Sequence, residues 1–236
     1  MKIALINHQG LKLTSGIQIQ TPSPPIGLAY IGAYIKEHGY EYTAIDACGE
    51  ALGQVVQSND DSNLLIQGLK TEEIVGRIPE GVDVVGLTSL FSHSWFLVRE
   101  IVASVRQKFP DVLIVVGGEH PTAASDMVLR DHLVDVAILG EGEETFVELL
   151  DSYSLNKDYH NIEGISYLDA EGKHIVNSKR KRVKKIDDFP YPDWEQWSIS
   201  EYIDYGQVTG VNLGRAIPIL GSRGCPYECT FCSNKE

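Results

Sequence analysis

Short unbroken apolar runs alternate, over the first 150 or so residues, with stretches whose apolar positions recur every three or four residues. The first run, Lys2–Asn7 (KIALIN), predicts a buried strand. The next stretch holds Pro22, Pro24 and Pro25 and reads as a loop. Gly27–His38 sets Leu28, Ile31 and Ile35 at helical spacing, with Gly39 as the stop. Tyr42–Asp46 predicts a second strand, Ala47–Leu69 is polar and irregular, and Thr71–Ile78 predicts a short helix ended by Pro79. Val82–Ser89 predicts a third strand. Ser92 or Ser94 is placed to cap the helix that follows, which runs to Phe109 with Leu97, Ile101 and Val105 on one face. A strand at Val112–Val116, a helix from about Ala123 to Asp131, a strand at Val136–Leu139 and a helix from Glu143 to about Ser152 complete the alternation.

Strand and helix thus alternate five times. Continuous apolar strands between amphipathic helices predict an α/β fold, a Rossmann-like, doubly wound, five-stranded parallel sheet covered on both faces. Such sheets bind ligands at the carboxyl ends of their strands. The loops at residues 8–25, 89–94, 117–122 and 140–143 are therefore the ones to watch. From Ile162 the pattern changes. Gly164–Leu168 and Lys173–Val176 flank Asp169-Ala170-Glu171-Gly172 and predict a hairpin. A proline- and tryptophan-rich connector, Asp187–Trp197, follows, and Ile217–Leu220 reads as a strand opening a new domain. The expected division is a first domain over 1–155, a hairpin and linker over 156–215, and the start of a second domain over 216–236.

Charge narrows the partners. The net charge of -13 disfavours broad binding to nucleic-acid phosphates. Lys179, Arg180, Lys181, Arg182, Lys184 and Lys185 run the other way; the reading is a solvated connector, the alternative a contact for an acidic partner. No apolar run approaches the ~20 residues of a membrane span, and no secretory signal opens the chain, so a cytoplasmic protein is expected.

The four cysteines decide the chemistry. Cys225, Cys229 and Cys232 fall in one loop with C-x3-C-x2-C spacing, and Cys48 stands apart. Three thiolates in one loop suit three irons of a [4Fe–4S] cluster and leave the fourth iron open. The alternative, zinc, wants four closed ligands, and no fourth lies nearby. Cys48, after the second strand, reads as a small buried thiol.

The cysteine spacing, with Phe231 just before the third cysteine, resembles the radical S-adenosylmethionine (SAM) superfamily. The likeness extends over nearly the whole chain through Pro25-Ile26-Gly27-Leu28-Ala29-Tyr30, Gly117-Gly118-Glu119-His120-Pro121, Gly140-Glu141-Gly142-Glu143 and Phe189-Pro190-Tyr191-Pro192-Asp193-Trp194. These are similar to radical SAM enzymes that carry an N-terminal cobalamin-binding domain. The resemblance implies a cluster on Cys225, Cys229 and Cys232, SAM chelated at the open iron and Phe231 at its adenine. It also implies cobalamin on the carboxyl edge of the sheet, near Gly117, Gly118, Glu119, Gly140, Glu141 and Gly142. The nucleotide tail would lie beside Thr88 and Ser89.

Many cobalamin domains place a cobalt-ligating His in a D-x-H-x-x-G loop. Asn7-His8-Gln9-Gly10-Leu11 departs from it, so cobalamin without a protein His beneath cobalt is expected. His8, His93 and His120 all fall near strand ends; each reads as a polar loop histidine, with an unconventional ligand as the alternative.

The family implies methyl transfer to an unactivated carbon or phosphorus centre of a small molecule, by way of a 5′-deoxyadenosyl radical, with an electron donor such as flavodoxin or ferredoxin. The alternatives are an oxidative or ring-forming reaction on the same architecture and a non-catalytic cobalamin-binding module. With a catalytic domain begun but not finished by Glu236, turnover by this chain alone is not expected.

Overall fold

The fold grows from the strand at Ile3–Asn7 (β1), which a computed structural model places one strand in from the edge of a mixed sheet. It describes residues 1–15, 22–181, 186–205, 214–224, 227, 229, 230 and 232. In chain order, Gly10–Leu13 (β2) precedes a helix at Ile26–Glu37 (α1), and Gly39 ends that helix with φ +84°. Then come Tyr42–Asp46 (β3), Val55–Gln57 (β4), Leu64–Gln67 (β5), Thr71–Arg77 (α2) and Val84–Thr88 (β6). Trp95–Lys108 (α3), Leu113–Gly117 (β7), Glu119–Leu129 (α4), Val136–Ile138 (β8) and Glu143–Asn156 (α5) follow. The hairpin strands are Ile165–Leu168 (β9) and His174–Val176 (β10), and the last helix is Ile199–Tyr205 (α6).

The main sheet runs β10-β9-β8-β7-β6-β1-β3. The five strands expected to be parallel, β3, β1, β6, β7 and β8, are so paired. The hairpin is not set apart as a linker element: β9 pairs antiparallel with β8 and extends the sheet to seven strands. Strand order reverses between β3 and β6, on either side of β1, and opens a crevice at the carboxyl ends there.

Alternation along each strand feeds two cores. Ala4, Ile6, Val85, Leu87, Ile114 and Val116 pack with α2, α3 and α4, whereas Ile3, Leu5, Val84, Leu113 and Val115 face α1 and α5. On α3 the predicted stripe of Leu97, Ile101 and Val105 is fully buried. Full burial of such side chains stabilises by roughly 1.5–3 kcal/mol each.

Four sequence expectations are corrected. Ala47–Leu69 is not irregular: β4 and β5 join β2, from the first loop, in a small antiparallel sheet ordered β2-β5-β4. Its strands are short and flanked by polar residues, so period-2 patterning is weak there. The fourth helix starts at Glu119, tight against β7, and is kinked at Ala124 (φ -145°, ψ 48°). Ser94 does not cap α3 with its side chain; its Oγ donates to the Phe91 carbonyl across a short 3-10 turn. Ile217–Leu220 is not a strand: among the described residues it has no hydrogen-bonded neighbour strand, and Ile219 is 82% exposed.

Candidate functional site

The carboxyl ends of β1, β6, β7 and β8 surround a cavity of about 590 Å³, within the ~300–1,000 Å³ usual for cofactor pockets. Its floor is apolar, with Leu5, Gly86, Val115 and Phe146 rising between the strand ends. Gly86 leaves room for the Leu5 side chain in that floor, since a Cβ there would meet Leu5 Cδ2 at 2.8 Å. Asn7, His8 and Gln9 leave β1 into one wall, and Ile26, Gly27 and Tyr30 of α1 form the wall beside it.

The resemblance-derived residues converge here. Thr88, Gly117, Gly118, Glu119, Gly140, Glu141 and Gly142 all line the cavity. Ser89 sits behind the wall, fully buried, and its Oγ has no hydrogen-bond partner. Backbone geometry requires glycine at Gly118. Its φ is +116°, and a Cβ would stand 2.5 Å from the Ser89 carbonyl oxygen. The close approach is therefore to the chain's own backbone. The Ser89 amide donates to the Gly117 carbonyl (2.8 Å) and the His120 amide to the Ser89 carbonyl (3.1 Å), so the two loops lock each other.

Thr122, which sequence reading passed over, joins the two glycine loops. Its hydroxyl donates to the Gly118 carbonyl (2.8 Å) and accepts from the Gly140 amide (2.9 Å). No motif marks a threonine inside a helix for that task; only the fold brings Gly140 to it.

Of the three histidines near strand ends, only His8 lines the cavity. Its Nδ1 lies 2.6 Å from the Gln9 carbonyl and so carries the proton, leaving Nε2 as the lone-pair nitrogen. Burial, above all, holds the pKa of this ring down to about 4, so it is neutral at pH 7. His120 is buried on the far side of the β7 loop, its Nδ1 2.9 Å from Ser92 Oγ and its Nε2 unpartnered. His93 is exposed and stacks on Phe91.

Cys48 also reaches the cavity wall. It is the buried thiol expected, its pKa pushed up to about 12 chiefly by burial, so it offers no thiolate at neutral pH. Beside it Asp46 Oδ1 accepts from Asn7 Nδ2 (2.8 Å), the Gly49 amide (3.0 Å) and Tyr202 OH (2.9 Å). Burial raises the pKa of Asp46.

Among the cluster residues, Cys225 and Phe231 lie outside the described residues. Cys229 is exposed and Cys232 half-buried, and the Cys232 amide donates to the Cys229 carbonyl (3.1 Å). Among the described residues no three His, Cys, Asp or Glu side chains are gathered as a metal site. The segment just before the cysteines reaches the site: Leu220, Ser222, Arg223 and Gly224 line the same cavity.

With this geometry in place, comparison with known proteins is decisive for the family. Residues 14–150 match the B12 binding domain. The chain belongs to the B12-binding domain family. Its walls suit that cofactor. Cobalamin presents an apolar ring edge and a fringe of amides; the cavity offers apolar side chains, glycine backbone and Gln9, whose buried Oε1 lacks a donor.

Relatives of this B12-binding chain point the same way. It is 27% identical to cytidylyl-2-hydroxyethylphosphonate methyltransferase of Streptomyces wedmorensis over 89% of its own length and 43% of that protein. It is 28% identical to the anaerobic magnesium-protoporphyrin IX monomethyl ester cyclase of Rubrivivax gelatinosus, over 93% of this chain and 36% of that one. Its fold matches the cobalamin-dependent SAM radical enzyme OxsB, solved with aqua-cobalamin and SAM, with a TM-score of 0.69 and 19% identity over 99% of this chain and 28% of OxsB. The chain thus spans less than half the length of these relatives.

Proposed function

We propose that this chain carries the cobalamin and cluster sites of a radical SAM enzyme that transfers a methyl group to an unactivated carbon or phosphorus centre of a small molecule. One observation carries the reading: the segment leading into the C-x3-C-x2-C motif forms part of the wall of the cavity that gathers the cobalamin-type glycine loops. Two cofactors that must meet one substrate would then be held at one opening.

When bound, the cluster with SAM supplies one-electron chemistry and cobalamin supplies a transferable methyl group. The chain's own residues bind and orient. Cys225, Cys229 and Cys232 would hold the cluster, and Phe231 would flank the SAM adenine. Gly117, Gly118, Glu119, Gly140, Glu141 and Gly142 would border the corrin, and Thr88 and Ser89 its nucleotide tail. The apolar floor excludes water. The electron would come from a small donor such as flavodoxin or ferredoxin.

The test is loading. The full chain, reconstituted without oxygen, is expected to hold about four iron and four sulfide per chain and to retain hydroxocobalamin through gel filtration. Cys229→Ala should lose most of the iron and sulfide and keep the cobalamin. Full iron in that variant would rule out the cluster assignment, and cobalamin uptake with no iron in the wild type would leave only a binding module. His8→Ala should leave the bound corrin spectrum unchanged, because no protein His is proposed beneath cobalt. A ring-forming reaction is the second reading, favoured by the similarity to the cyclase; the identity of the product, methylated or cyclised, would separate the two.

A further inference from the structure

We propose that Arg223 is a positioning residue that seats the cysteine loop on the rim of the cobalamin cavity. The proposal rests on the cluster reading above. Arg223 stands two residues before Cys225. Its Nη2 donates to Glu143 Oε1 at 2.5 Å, and the two side chains are only 13% and 7% exposed. The guanidinium carbon also lies 5.3 Å from the Tyr30 ring centre and 4.9 Å from that of Phe189, within cation–π range of both. One side chain therefore ties the tail to three separate pieces of the fold: the first turn of α5, α1, and the aromatic connector.

Among the described residues of the tail, the large apolar side chains before the motif are not held down by burial. Ile217, Ile219 and Leu220 are 42%, 82% and 43% exposed. Arg215, the other cation among the described residues of the segment, pairs with Asp204 in the open, at 74% and 69% exposure, where an ion pair contributes little. Glu143 needs Arg223 in turn. It is a buried carboxylate at the cavity wall, and losing its cation would leave an uncompensated charge. Glu143 follows Gly142, so the same residue that ends a cobalamin loop anchors the approach to the cysteines. The pair links the geometry of the two cofactor sites.

Backbone hydrogen exchange and electron paramagnetic resonance together test this on the full chain. Arg223→Met and Glu143→Gln should each speed exchange over residues 217–224 by about tenfold or more, whereas Arg223→Lys, which keeps the charge, should stay within about threefold of wild type. Arg215→Met should change nothing. In chains loaded with iron, sulfide and cobalamin and then reduced, wild type should show the cob(II)alamin signal broadened by the nearby reduced cluster. Arg223→Met should lose the broadening at unchanged iron and cobalamin content, and Arg223→Lys should restore it. Exchange within about twofold of wild type in both Arg223→Met and Glu143→Gln, or broadening that survives in both, would overturn the proposal. A wild type that takes up no iron sinks the cluster reading instead, and the exchange comparison, which needs no cofactor, still decides whether Arg223 holds the segment.

Discussion

His8 shows how a single residue's environment becomes a property of the whole fold. Its folded pKa is held down to about 4 by burial, while in the unfolded chain it titrates near its ordinary 6.5. The unfolded state therefore takes up the proton first as pH falls. Stability should drop between about pH 6.5 and pH 4, by an amount on the order of 3 kcal/mol, and be unaffected by His8 above that window. Asp46 acts in the opposite sense, since its raised carboxyl pKa favours the folded state as acid is added. Urea titrations of wild type against His8→Gln across this range isolate the His8 part; parallel curves would show that the ring is not held neutral. Gly118 is the second residue-scale case. Alanine there must adopt φ +116° and push against the Ser89 carbonyl, so Gly118→Ala should cost about 2–4 kcal/mol of stability, read from the denaturation midpoint.

At the scale of elements, two helices make contrasting claims. α3 is held by its apolar stripe, and Ile101→Ala should cost about 2–5 kcal/mol through the cavity it leaves. α6 is seven residues long, too short to persist on its own, and is fastened by polar contacts at its docking face. Tyr202 OH donates to buried Asp46, and Tyr205 OH accepts from Gln67 Nε2 at 3.0 Å. Tyr202→Phe removes a donor from a buried carboxylate and should cost about 1–3 kcal/mol, with amide exchange in 199–205 rising more than in α3. Equal rises in both helices would mean that α6 unfolds only with the whole domain.

The whole molecule is bound together beyond the first 155 residues. β9 and β10 complete the sheet edge next to β8, and Trp197, 4% exposed, packs into the core on the α1 and α5 face. A chain of residues 1–205 should therefore be more stable than one of residues 1–155, with a higher urea midpoint; equal midpoints would show that the hairpin and connector add nothing to the fold. The parallel sheet and the helical stripes were legible in the sequence because apolar periodicity is a local property, set by which face of each element is dry. The glycine loops were legible because tight strand-to-helix turns need glycine at short intervals, and the cysteine spacing because a spacing is itself a local property. The small sheet of β2, β4 and β5 was not, since its strands are paired by partners up to 57 residues apart and carry little alternation of their own. Thr122, Glu143 and Arg223 were equally silent: a threonine, a glutamate and an arginine have countless solvated roles, and nothing local marks the ones that will be buried. The sequence by itself determined the class of fold and the residue types gathered at its carboxyl edge. Only the tertiary structure decided which loops share a cavity, which histidine faces it and which arginine secures the cysteine segment, because those contacts join residues as far apart in the chain as Tyr30 and Arg223 and exist only once the chain has closed on itself.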